Sequence, residues 1–158
     1  MSMMNRKKII IWAVITGMVL LFIWGNSMLP PDVSDGLSKW VTGILGFNRP
    51  GEQTDSMNHI VRKLAHYSEY FALGIVLWLA LCGKIKPFLR GIVLQGFCGL
   101  LTAVIDETIQ LFSQRGPSLT DVWLDYAGFL CGSLLALLIC HIRAKRAEKK
   151  SEKETAES

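Results

Sequence analysis

The sequence predicts an all-α membrane protein: a four-transmembrane-helix bundle with an extracytoplasmic amphipathic helix between helices 1 and 2. Three observations predict it. The 158-residue chain is 51% hydrophobic with a mean hydropathy of +0.34, too apolar for a soluble domain of this size. Its apolar residues fall in four long blocks, approximately 9–24, 60–82, 88–112 and 120–142, each near the length that crosses a bilayer. Its ionisable residues gather toward the ends of those blocks, which fits their cost of about 2.5–3.5 kcal/mol each at the centre of a membrane helix. Residues 1–142 therefore read as one membrane domain, and 143–158 as a basic, charged cytoplasmic tail expected to be disordered.

Taken in order, Arg6, Lys7 and Lys8 precede the apolar run Ile9 to Trp24. A charged start followed by Gly25, Asn26 and Ser27 also fits a cleaved signal peptide, but the small-x-small cleavage pair is poor and an uncleaved first helix is favoured. The segment from Gly25 to His59 is polar, with Pro30-Pro31 and Pro50-Gly51 as punctuation. Inside it Leu37, Trp40, Val41, Ile44 and Leu45 recur at helical spacing, with Ser34 or Asp35 as the expected cap. This stretch reads as a helix lying at the membrane surface with Trp40 as anchor, or else as a loop helix packed on the bundle end. The second span opens with Arg62, Lys63, His66 and Glu69 and turns apolar from Tyr70. Lys84, Lys86 and Arg90 follow it, around a break at Pro87. The third span is apolar until Asp106, Glu107 and Gln110, and the fourth begins with Asp121 and Asp125. Cys82, Cys98, Cys131 and Cys140 lie in or beside apolar blocks without metal-type spacing and read as plain thiols.

The basic residues set the expected orientation. They concentrate at the N-terminus, in the Gly83–Arg90 loop and after His141, three places that four spans put on one side. The positive-inside rule makes that side cytoplasmic, so the expectation is a multi-pass cell-membrane protein with both termini inside. The net charge of +4 is then a topology signal, not a nucleic-acid footprint.

That topology places three polar clusters at one depth, about one or two turns into the outer leaflet. Residues three and four apart share a helix face. Arg62, His66, Glu69 and Leu73 form one stripe, with Tyr70 beside it. Gly99, Ala103, Asp106 and Gln110 form a second, and Asp121, Asp125, Gly128 and Gly132 a third. The small residues in the last two stripes allow close backbone approach, and Gly-rich faces also suit pairing between copies of the chain. The polar ends should therefore face one another inside the bundle. Glu107, roughly 100° around the helix from Asp106, points to a headgroup or to another neighbour. Acids outnumber bases: Glu69, Asp106, Glu107, Asp121 and Asp125 stand against Arg62, Lys63 and Arg115, with His66 titratable. Such a set suits general acid–base chemistry, cation binding or the grip of a headgroup.

At these residues the chain resembles the VanZ-like family, small membrane proteins associated with reduced susceptibility to teicoplanin. RKLAHYSEYFALG (Arg62 to Gly74), DETIQLF (Asp106 to Phe112), Arg115 and DVWLDYAG (Asp121 to Gly128) carry the resemblance, in order and in membrane placement. Two positions depart. Ser113-Gln114 precedes Arg115 where relatives have a longer Pro-Gly turn, and many relatives have Asn where this chain has Asp125. The resemblance implies a role at the envelope of a Gram-positive-type bacterium, lowering susceptibility to lipophilic glycopeptides. It supplies no reaction, so whether the protein is an enzyme is left open.

Four readings of the polar cluster follow. The first is a pocket that binds or modifies a lipid headgroup or lipid-linked envelope precursor. Its catalytic candidates are His66, Glu69, Asp106, Glu107, Asp121 and Asp125; its headgroup-binding candidates are Arg62, Lys63, Tyr70, Gln110 and Arg115. The second is structural glue between helices, for which five carboxylates are too many. The third is a metal site using His66, Glu69, Asp106 and Asp125, which a single His makes thin, so no cofactor is expected. The fourth is a solute pathway, poorly supported because Gln95 and Thr102 are nearly alone in the inner half. The expected partners are membrane lipids or lipid-linked precursors, and no nucleic acid.

Overall fold

The computed structural model describes residues 6–44, 53–81, 88–113 and 118–156. Arg115 and Cys82 lie outside them. The described residues form five helices and no strand: α1 (Arg6–Ser27), α2 (Pro31–Ile44), α3 (Gln53–Leu81), α4 (Phe88–Phe112) and α5 (Leu119–Ala156). Four stretches, Arg6–Ser27, Met57–Leu81, Leu89–Phe112 and Leu119–Lys149, are long and apolar enough to cross a membrane. The chain is an all-α membrane bundle with a short fifth helix between the first two spans.

α3 and α5 form the centre and run parallel, since Tyr67 meets Gly128 and, four residues further along both helices, Phe71 meets Gly132. Glycine makes this possible. A Cβ on Gly128 would lie 2.6 Å from the carbonyl oxygen of Tyr67, and one on Gly132 or Gly74 would collide with the backbone of Phe71 or Phe129. α4 packs against the pair, with Gly99 leaving room for the Phe129 ring. The core is Ile23, Tyr70, Leu73, Ala103, Val122 and Phe129. α1 contributes only Ile23 and Ser27 as buried residues, and its Ile10, Leu21 and Phe22 are exposed on its outward face. The glycine faces that the sequence offered for pairing between copies are thus filled within the chain, whereas Gly17 and Gly25 on α1 are open.

Three element boundaries differ from the sequence reading. α2 begins at Pro31, not at a Ser34 or Asp35 cap: the Ser34 amide already donates to the Pro30 carbonyl at 3.1 Å. Proline at a first helical position loses no hydrogen bond, because that amide has no helical partner anyway. α3 starts at Gln53 instead of near residue 60, because nothing after Pro50-Gly51 breaks a helix. Its polar first turns stand clear of the apolar part and meet α2, where Thr42 Oγ1 donates to Asn58 Oδ1 at 3.0 Å. α5 continues to Ala156, where disorder from residue 143 was expected. Apart from Ser151 and Thr155 the helical tail is built from Ala, Lys, Arg and Glu, all strong helix formers, on a helix already nucleated in the bundle.

α2 turns its small hydroxyl residues Ser34, Ser38 and Thr42 toward the bundle. Its apolar stripe of Val33, Leu37, Trp40 and Ile44 faces outward, Trp40 being 67% exposed.

Candidate functional site

The polar residues of the sequence stripes meet at the end of the bundle formed by the C-terminal turns of α1 and α4 and the N-terminal halves of α3 and α5. At the centre are His66 on α3, Asp106 on α4 and Asp125 on α5, which are 9%, 0% and 2% exposed. Each offers one ligand atom, and the three atoms lie within 4.8 Å of one another. His66 Nδ1 is 4.0 Å from Asp106 Oδ2 and 3.7 Å from Glu69 Oε2. The sequence placed each of these on an inward stripe, and the fold brings the stripes to one point.

Specific neighbours hold the surrounding carboxylates. Gln110 Nε2 donates to Asp106 Oδ2 at 3.1 Å, one turn along α4. Asn26 Nδ2, at the end of α1, donates to Glu69 Oε1 at 2.8 Å. Lys63 Nζ lies 2.8 Å from Asp121 Oδ1 at the half-exposed rim. The Ser118 amide donates to Glu107 Oε1. Ser118 precedes α5, and its carbonyl accepts from the Asp121 amide at 2.9 Å, so Glu107 caps the helix from outside its own chain segment. A carboxylate there also favours the positive end of the helix dipole. Asp125 Oδ1, like Glu69 Oε2 and Glu107 Oε2, is buried and has no hydrogen-bond partner among the described residues.

Other expected site residues fall elsewhere. Arg62 turns out of the cluster toward Asp35 on α2, Nη1 to Oδ1 at 3.4 Å, in an exposed pair. Tyr70, expected to bind a ligand, is fully buried in the core, and its hydroxyl donates to the Thr102 carbonyl at 3.2 Å. Glu69 belongs to the weak metal set proposed from spacing, but not to the group of three convergent ligand atoms. Arg115 is outside the described residues. Sequence reasoning missed Asn26, Asp35, Asn58 and Ser118, all polar residues beside helix ends, where polarity is ordinary and carries no signal. It also missed Ser133, whose hydroxyl accepts from Gln95 Nε2 at 2.7 Å in the inner half.

Two apolar clefts open sideways from the bundle. One, of about 380 Å3, lies between α1 and α3 and reaches Glu69; Met18, Val19, Phe22 and Ala72 line it. The other, of about 310 Å3, lies between α4 and α5 and reaches Gln95 and Ser133.

No curated protein and no solved structure matches the chain. The family model described as VanZ/LLP1 matches residues 9–140, a span that takes in α2, α3 and α4 whole, α1 from Ile9 and α5 as far as Cys140. The chain therefore belongs to the VanZ-like family.

Proposed function

We propose that this protein acts at the cell envelope of a Gram-positive-type bacterium and lowers susceptibility to lipophilic glycopeptides such as teicoplanin. It does so through the polar site, which opens to the outer leaflet in a multi-pass cell-membrane protein with cytoplasmic termini. Its partner there is a membrane lipid or lipid-linked envelope precursor. The observation that carries this reading is the burial of Asp106, Asp125 and His66 at one point of a membrane bundle. Ionisable groups at membrane depth are costly and mark function by default. The lateral cleft ending at Glu69 supports a lipidic partner, because an acyl chain could lie in it with its headgroup at the polar site.

Teicoplanin and vancomycin susceptibility, measured in a sensitive Gram-positive host, tests the proposal. The chain should raise the teicoplanin concentration needed for inhibition more than that of vancomycin, and Asp106→Asn should abolish the shift at equal membrane abundance. No shift from well-expressed wild-type protein would remove the resistance role. A modifying enzyme is the second reading, favoured by His66 standing between two carboxylates at 3.7 and 4.0 Å. It expects His66→Gln to abolish the effect with the folded protein intact. Structural glue expects the same substitutions to lower folded abundance instead.

A further inference from the structure

Five carboxylates crowd the polar end, and four have a defined partner. Glu69 has Asn26, Glu107 has the Ser118 amide, Asp121 has Lys63, and Asp106 has Gln110. Asp125 is 2% exposed, and its Oδ1, like the second oxygens of Glu69 and Glu107, has no hydrogen-bond donor among the described residues. An ionised carboxylate left this way would be costly, so something must balance it. Its neighbours across the helix interfaces are a second buried carboxylate and an imidazole, with one ligand atom from each of the three within 4.8 Å of the others.

We propose that His66, Asp106 and Asp125 form a binding site for one divalent transition-metal cation of the zinc or manganese kind. The spacing supports it. The 4.0 Å between His66 Nδ1 and Asp106 Oδ2 is too long for a hydrogen bond. It falls within the roughly 4.2 Å that two ligands, each about 2.1 Å from one ion, can span. The donor set supports it too. Two carboxylates match the charge of a divalent ion, and the imidazole favours zinc or manganese over magnesium or calcium, which prefer all-oxygen sites. Three protein donors leave at least one position for a water or another oxygen ligand, as in sites that do chemistry or exchange ligands. One ligand, Asp106, is held by Gln110, as outer-shell partners hold the ligands of built metal sites. Each donor comes from a different helix, so the ion would tie α3, α4 and α5 together at this end.

The site stands on its own residues and does not depend on the glycopeptide role, so the two proposals fail separately. The test uses the full chain purified in detergent, stripped with a chelator and titrated with Zn2+, Mn2+ and Mg2+ by calorimetry, with bound metal counted by elemental analysis. The expected result is one zinc or manganese per chain and weaker magnesium binding. X-ray absorption of the wild-type zinc complex should report one nitrogen and otherwise oxygen donors, with no sulfur. Gln110→Leu should weaken binding by about 10–100-fold, and Asp125→Asn or His66→Gln by more. Helical content measured in each variant separates lost binding from lost folding. Folded wild-type protein that takes up no metal overturns the proposal and leaves a proton between Asp106 and Asp125. Sulfur ligation in the absorption spectrum, or folded ligand variants that bind as well as wild type, overturns it as well.

Discussion

Glu107 and Asp106 are adjacent, yet the helix turns them to different tasks. Asp106 points to the centre of the bundle, and Glu107 points to the start of α5, where it accepts from the Ser118 amide. Glu107→Ala should destabilise the folded protein by about 0.5–2 kcal/mol, the usual range for a lost helix cap. Glu107→Gln keeps an acceptor and loses only the charge, so it should cost about 0.3–1 kcal/mol. Reversible unfolding in mixed micelles would rank the two, and equal losses would show that the cap contact does not form. Asn26 makes a similar case. Asn26→Leu removes the donor to Glu69 Oε1 and leaves a buried acceptor, at about 1–3 kcal/mol in the same assay. The sequence marks Glu107 as turned away from Asp106, but nothing in it names Ser118. The packing of α4 against the start of α5 decides that contact, and helical periodicity does not fix how one helix packs on another.

At the scale of elements, the α3–α5 contact sets the spacing of the site. Gly128 lies one turn beyond Asp125 and fits against the carbonyl of Tyr67, the residue after His66. Gly128→Ala would force the helices apart close to two of the three central donors. Its cost should be about 1–3 kcal/mol, as for an overpacked core. Gly17→Ala, with nothing within 4 Å of the added Cβ, should be neutral or stabilising by up to about 1 kcal/mol through helix propensity. Equal effects of the two would mean that α3 and α5 do not approach this closely. α2 shows the opposite arrangement, with hydroxyls inward and Val33, Leu37, Trp40 and Ile44 outward. That fits the helix at the membrane surface better than the loop helix packed by its apolar side. A nitroxide replacing Trp40 should collide more with oxygen than with a water-soluble nickel chelate; the reverse would put this face in water.

For the whole molecule, the distribution of Lys and Arg sets the orientation and the bundle sets the rest. In a cysteine-free background, a cysteine at Lys149 should react with an impermeant maleimide only after the membrane is opened. One at Asp32 should react in intact cells. Reaction of both from the same side would contradict the four-span topology.

The sequence by itself determined the class, the number of spans, the polar stripes and the family resemblance. These depend on composition, block length and the 3.6-residue repeat, all of which are local. It also named His66, Asp106 and Asp125 among its candidates. Only the tertiary structure decided which candidates meet. Periodicity fixes a face within one helix, but not the rotation and depth of one helix against another. Arg62 therefore left the site for Asp35, Tyr70 went into the core, and Glu69 came to rest on Asn26. Close packing at Gly74, Gly128 and Gly132 set those rotations and left Asp125 facing His66 and Asp106.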